Sequence, residues 1–203
     1  MKGIWISLDG CGGSGKTTFF EQLKDIFPKF VYVPEFSSNY TGNTLKKAIQ
    51  ECGPYINSQS CVGSSLLFLS DYFTLCESII IPNLNKGRVV VSDRGFLSKI
   101  AVQDVIMSQE YRADIVETVL TSLFRLSPLP DYSLNFDFPL SVIRERLIKR
   151  DGVLRNEHER LIIPTKKEIN HYANIFNVKM LHLSNESDVD KAVLFINGIT
   201  CYA

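Results

Sequence analysis

Gly10, Gly15, Lys16 and Thr17 follow the order Gly, four residues, Gly-Lys-Thr within ISLDGCGGSGKTTFF, residues 6–20. An apolar run, Gly3 to Leu8, leads into the motif, and a helical stripe of Phe19, Phe20, Leu23 and Ile26 leads out of it. A strand, a glycine-rich turn and a helix in that order form the context in which this spacing wraps a phosphate chain. Such a loop turns backbone N–H groups toward an anion, and side chains would block the approach, hence Gly10, Gly12, Gly13 and Gly15. The helix N-terminus adds unpaired N–H groups and a favourable dipole. The expected nucleotide-binding segment is therefore Gly10, Cys11, Gly12, Gly13, Ser14, Gly15, Lys16, Thr17 and Thr18. Lys16 reaches the β- and γ-phosphates and the Thr17 hydroxyl ligates Mg²⁺. Lys16 is expected on the solvent side of the loop, outside the core.

A motif of this kind constrains the whole chain to an α/β layout, and the remainder conforms. Phe30 to Pro34 reads as a buried strand ending at Glu35, a carboxylate placed where α/β proteins bind ligands. Asn43 to Cys52 has helical spacing, stopped by Gly53-Pro54. A long helix opens at Asn57 or Ser58 and runs to about Leu84, apolar over much of its circumference, with Pro82 expected to kink or break its end. Arg88 to Ser92 is a β-branched run suited to a central parallel strand, followed by Asp93-Arg94. Helices follow over Ser98–Met107 and Tyr111–Leu126, then a strand over Tyr132–Phe138 and a helix over Pro139–Arg150. Residues 150–160, RDGVLRNEHER, are almost wholly polar and carry Arg150, Arg155 and Arg160. Beside a phosphate loop they read as a short lid that brings arginine to a transferring phosphoryl group. Pro164 is expected to start the next helix, and a strand over Val178–Leu183 and a helix over Asp188–Asn197 close the chain. Five strand–helix alternations predict a three-layer, doubly wound α/β fold with a five-stranded parallel sheet, in one domain over residues 1–203.

Composition excludes some partners. Twenty-two basic and 22 acidic residues leave no net charge, so no nucleic-acid polymer is expected. No apolar run looks long enough to span a bilayer, and Met1-Lys2 passes directly into a strand. The five cysteines, at 11, 52, 61, 76 and 201, show no paired or metal-like spacing and read as free thiols of a cytoplasmic protein.

The sequence resembles the thymidylate kinase family of P-loop kinases, over most of the chain and in order. The resemblance rests on ISLDGCGGSGKTT, on Glu35, on Asp93-Arg94 with Ser98, Ala101 and Gln103 following, on Pro130-Asp131 with Asn135-Phe136-Asp137, and on the arginines of 150–160. It implies transfer of the ATP γ-phosphoryl group to a pyrimidine nucleoside monophosphate with Mg²⁺. Lys16 would hold the donor, Thr17 and Asp93 the metal, and Arg94 the acceptor side. Arg150, Arg155 or Arg160 would stabilise the transferring group. Phe68 and Gln103 would meet the base, with Glu35, Tyr72 and Ser98 also on the acceptor side. The long helix at 58–84 would form a homodimer.

The chain departs from that pattern at Gly12, Pro34, Tyr72 and Val102, where the family carries an acidic or arginine residue, two arginines and a tyrosine respectively. Val33-Pro34-Glu35 instead resembles deoxynucleoside kinases, in which the glutamate takes the proton of a 5′-hydroxyl. Three readings therefore stand: a monophosphate kinase first, a nucleoside kinase with Glu35 as base second, and a non-catalytic nucleotide-binding protein third.

Overall fold

The computed structural model describes residues 3–52 and 60–201. Among them the chain alternates β1 (Ile4–Asp9), α1 (Lys16–Ile26), β2 (Val31–Val33), α2 (Tyr40–Cys52), α3 (Cys61–Leu75), a π-helical turn (Cys76–Ile80), α4 (Ile81–Asn85), β3 (Val89–Asp93), α5 (Phe96–Met107), α6 (Ala113–Phe124), β4 (Tyr132–Phe136), α7 (Leu140–Asp151), α8 (Asn156–Phe176), β5 (Met180–Leu183) and α9 (Glu186–Thr200). The described strands form one five-stranded sheet in the order β2-β3-β1-β4-β5. Every pairing is parallel, with Ile6 opposite both Val91 and Tyr132. Helices cover both faces, which is the three-layer, doubly wound parallel arrangement expected from the alternation.

Period-two side-chain direction explains the two cores. On β3, Val90 enters one core with Trp5, Leu69, Phe96 and Tyr172, while Val89 and Val91 enter the other with Ile6, Leu8, Phe19 and Leu134. β2 and β1 cover the edges of β3 and the helices cover its faces, so every residue of VVVSD is buried. The β1, β2 and β3 ends that face the first helix's N-terminus thereby gather Asp9, Glu35 and Asp93 at one rim of the sheet.

Three expectations need correction. Pro82 does not break the long helix: α3, the π turn and α4 run continuously from Cys61 to Asn85. The π turn absorbs the proline, with the Ile81 N–H bonding to the Cys76 carbonyl five residues back. Ser60 caps α3 by accepting the Gly63 N–H at 3.0 Å; the expected start at Asn57 or Ser58 and the Gly53-Pro54 break lie outside the described residues. This rod, with mean hydropathy 1.4 over its most apolar stretch, is long and apolar enough by length and composition to cross a bilayer, contrary to the sequence reading. Asp71, Thr74 and Glu77 interrupt the apolar run in sequence, and Leu69, Leu75, Cys76 and Ile80 are buried in the core.

Pro164 does not start a helix; it lies inside α8, which begins at Asn156. An interior proline forfeits a helical hydrogen bond at a cost of about 3 kcal/mol. Here Leu161 and Ile162 before it, and Ile169 and Tyr172 after it, are all buried, and their packing outweighs that cost. The polar 150–160 stretch is correspondingly more ordered than a loop. α7 ends through Gly152 at φ 77°, four residues connect, and Asn156 onward is already α8 with His158 buried. Cys11, Cys61, Cys76 and Cys201 are free thiols.

Candidate active site

β1 ends at Asp9 and α1 begins at Lys16, so the phosphate loop spans the gap between a central strand and a helix N-terminus that no side chain caps. Gly15 at φ 100° and Gly13 at φ 77° take the left-handed conformations that bend the loop. A Cβ on Gly13 would lie 2.7 Å from Leu147 Cγ, so α7 closes the loop from behind. The first cleft, about 620 Å³, opens over Gly13 to Thr18. Cys11 turns its thiol into the core and offers its backbone to the loop.

Lys16 is not on the solvent side. It is 4% exposed, donating from Nζ to the Cys11 carbonyl at 2.6 Å and to Ser14 Oγ at 3.1 Å. Burial, and secondarily the Arg94 charge, bring its pKa down to about 8. An ammonium held on neutral oxygens within a loop of N–H donors is placed for an anion.

Thr17 and Asp93, from different elements, meet at the cleft floor: Thr17 Oγ1 donates to Asp93 Oδ2 at 2.9 Å. Asp93 Oδ1 is buried without a hydrogen-bond partner among the described residues. Burial, then the Glu35 charge, pushes the Asp93 carboxyl up. An orphaned carboxylate oxygen beside a hydroxyl suits a hard cation that takes most of its remaining ligands from phosphate and water.

A second cleft of about 390 Å³ opens beside the first and is walled by Phe36, Phe68, Lys99, Val102 and Gln103. Glu35, Arg94 and Arg150 border both clefts. Arg94 sits at φ 55°, rare for a residue with a side chain, and its Nε pairs with Glu35 Oε1 at 2.7 Å. Phe68 lies across from Phe36 with ring centroids 6.0 Å apart. Gln103 is 2% exposed, and its Oε1 has no partner among the described residues.

The other expected site residues divide. Arg155 lines the second cleft, and Arg150 is paired bidentately with Asp151. Arg160 is exposed and borders neither cleft. Ser98 touches the second cleft, yet its hydroxyl accepts the Gly10 N–H at 2.9 Å and lies 3.3 Å from the Gly10 carbonyl, so it braces the phosphate loop. Tyr72 is not brought to the site. It is 2% exposed, stacks on Phe124 at 5.2 Å and bonds Ser127 Oγ at 2.7 Å. An aromatic ring at that point of α3 gains more from the apolar core than from a wet cleft.

Three residues were missed in sequence. Asp9 is fully buried; it accepts from Ser7 Oγ, Ser133 Oγ and the Ser98 N–H at 2.6, 2.8 and 2.7 Å, tying β1, β4 and α5 together beneath the loop. Its signal was a carboxylate ending an otherwise apolar strand. Arg146 donates to the Ser14 carbonyl at 2.9 Å and lies 4.3 Å over the Phe138 ring, on the rim of the first cleft. Its signal was a cation at helical spacing with Val142, Ile143 and Leu147. Lys99, in the second cleft, gave none.

The thymidylate kinase family profile matches residues 8–193. The thymidylate kinase of Buchnera aphidicola subsp. Baizongia pistaciae is 30% identical over 204 aligned positions, covering 94% of this chain and 91% of that protein. A probable thymidylate kinase of Pyrococcus horikoshii is 28% identical over 180 positions, covering 86% and 83%. Among solved structures, Ehrlichia chaffeensis thymidylate kinase superposes with a TM-score of 0.67 at 16% identity, over 97% of this chain and 98% of that one. Candida albicans thymidylate kinase, described as having broad substrate specificity, gives 0.70 at 18% identity, over 98% and 92%.

Proposed function

Given that the chain belongs to the thymidylate kinase family, we propose that this P-loop kinase transfers the γ-phosphoryl group of ATP to a pyrimidine nucleoside monophosphate, dTMP in the first instance. The observation that carries the reading is the junction of two clefts at Glu35, Arg94 and Arg150. One cleft holds the phosphate loop, and the other has an aromatic and amide wall suited to a pyrimidine. Phosphoryl transfer asks mainly for alignment and charge neutralisation where the two substrates meet.

In this reading Lys16 and the loop N–H groups grip the β- and γ-phosphates. Thr17 and Asp93 hold Mg²⁺, which when bound neutralises phosphate charge. Arg94, fixed by Glu35, faces the transferring group, and Arg150 and Arg155 approach it from the 150–160 lid, with Gly152 and its neighbours as the hinge. Phe68 packs on the base and the free Gln103 carbonyl accepts a base N–H. A cytoplasmic homodimer through the long apolar helix belongs to the same proposal; Leu66 on α3 and Ile115 on α6 are exposed apolar groups available to it.

A nucleoside kinase is the second reading, because Glu35 sits at the junction where a hydroxyl would be deprotonated. Its Oε1, however, is already occupied by Arg94 Nε. ADP release from ATP and Mg²⁺ should therefore be measured with dTMP, dUMP, CMP, thymidine and deoxycytidine in turn. Turnover of dTMP or another monophosphate supports the proposal; turnover of nucleosides alone removes it in favour of the second reading.

A further inference from the structure

We infer that Lys99 is the cation that receives the acceptor's anionic group, which makes the natural acceptor a monophosphate and not a neutral nucleoside. This rests on the kinase reading above and specifies its acceptor side.

Lys16 and Lys99 are the two buried lysines among the described residues, and Lys99 is 6% exposed. Both solve burial in the same incomplete way. Lys99 Nζ donates to the Glu35 carbonyl at 2.7 Å and lies 4.7 Å over the Phe36 ring. It forms no ion pair with a carboxylate among the described residues. The acidic groups that act on it from a distance, Glu35, Asp71 and Asp93, each hold another partner and make no ion pair with Lys99. Glu35 is paired with Arg94, and Asp93 accepts from Thr17. Asp71 is held by the Ser37 N–H and hydroxyl and by Thr41.

A buried ammonium without a counterion is costly, and folded proteins pair such groups or use them. Lys99 lines the second cleft with donor capacity left over. Its neighbours across that cleft include Arg94, whose charge is already offset by Glu35, so the wall keeps a net positive site. Burial and the Arg94 charge both bring the Lys99 pKa down, and an arriving dianion would reverse that. A nucleoside hydroxyl brings no charge to do so. The parallel with Lys16 is physical: one ammonium on neutral oxygens waits beside the donor phosphates, and a second waits beside the acceptor.

The test compares dTMP with thymidine on the full chain. Calorimetric affinities are measured for wild type, Lys99→Met and Lys99→Arg, with ATP·Mg²⁺ affinity as the control for an intact fold. Lys99→Met should weaken dTMP by about 30-fold or more, change thymidine and ATP·Mg²⁺ by less than about twofold, and raise KM for dTMP more than it lowers kcat. Lys99→Arg should recover most of the loss. If Lys99→Met weakens dTMP and thymidine equally, or leaves both unchanged, Lys99 only braces the Glu35 carbonyl and the inference falls. Wild-type turnover of dTMP in that case leaves the kinase reading standing, whereas failure of wild type to bind or turn over any monophosphate removes both. If the Met variant does not fold, the ε-methyl NMR signal of reductively methylated Lys99 in otherwise wild-type protein decides. A shift with dTMP and none with thymidine supports the assignment, and equal response overturns it.

Discussion

The burial of Lys16 should make the folded protein less stable near neutral pH than it would otherwise be, an effect that titration can measure. Its pKa falls from 10.5 to about 8 in the folded chain, with burial the leading cause. That difference amounts to about 3 kcal/mol of bias against the charged form in the fold. Between the two pKa values the unfolded chain binds more protons than the folded one, so stability rises with pH there. The penalty is present in full below about pH 8 and is relieved as the pH climbs toward the unfolded value. From roughly pH 7 to pH 9.5 the gain from this one group is about 2 kcal/mol. Urea unfolding of wild type and Lys16→Met across that range, both carrying Cys11→Ser, isolates it, because the coupled Cys11 thiol is then absent and titrating groups not coupled to Lys16 cancel in the difference. Wild type should gain about 2 kcal/mol on the variant, while the variant loses about two to three orders of magnitude in kcat/KM. Saturating ATP·Mg²⁺ should flatten the wild-type pH dependence by supplying the missing anion. A difference that stays within about 0.5 kcal/mol over the range would show that Lys16 is not desolvated, and the account of the loop would fail.

Other outcomes follow from the same geometry. Glu35→Gln releases Arg94 from its 2.7 Å ion pair; it should raise KM for the monophosphate with ATP affinity unchanged, and a fall in kcat alone would point to a general base instead. Asp93→Asn removes a buried carboxylate whose charged form burial disfavours; the apo protein should melt no lower, while the Mg²⁺ needed for half-maximal rate rises about tenfold or more. Gly95→Ala would put a Cβ 2.0 Å from Ser7 Cβ, against β1 itself; a loss of about 3 kcal/mol should lower Tm by roughly 6–12 °C in a chain this size, read by calorimetry.

The phosphate loop and the two-faced central strand were legible in the sequence, because each follows from local rules; Thr17 and Asp93 were brought together there only by the family resemblance. Glycine spacing sets where backbone turns inward, and alternation along Val89–Val91 sets which face each valine takes. What escaped was decided by partners far away along the chain. Tyr72 left the acceptor side because Phe124 and Ser127 offered it a dry berth. Pro164 stayed inside a helix because residues on both sides of it were held by the core. Asp9 became a tie between three elements only once Ser98 and Ser133 were folded against it. Lys16 and Lys99 show the division most clearly. Their charge is written in the chain, but whether a charge meets water or is sealed against a neutral carbonyl depends on the assembled layers, and burial is what turns an ordinary ammonium into one that lacks a full counterion.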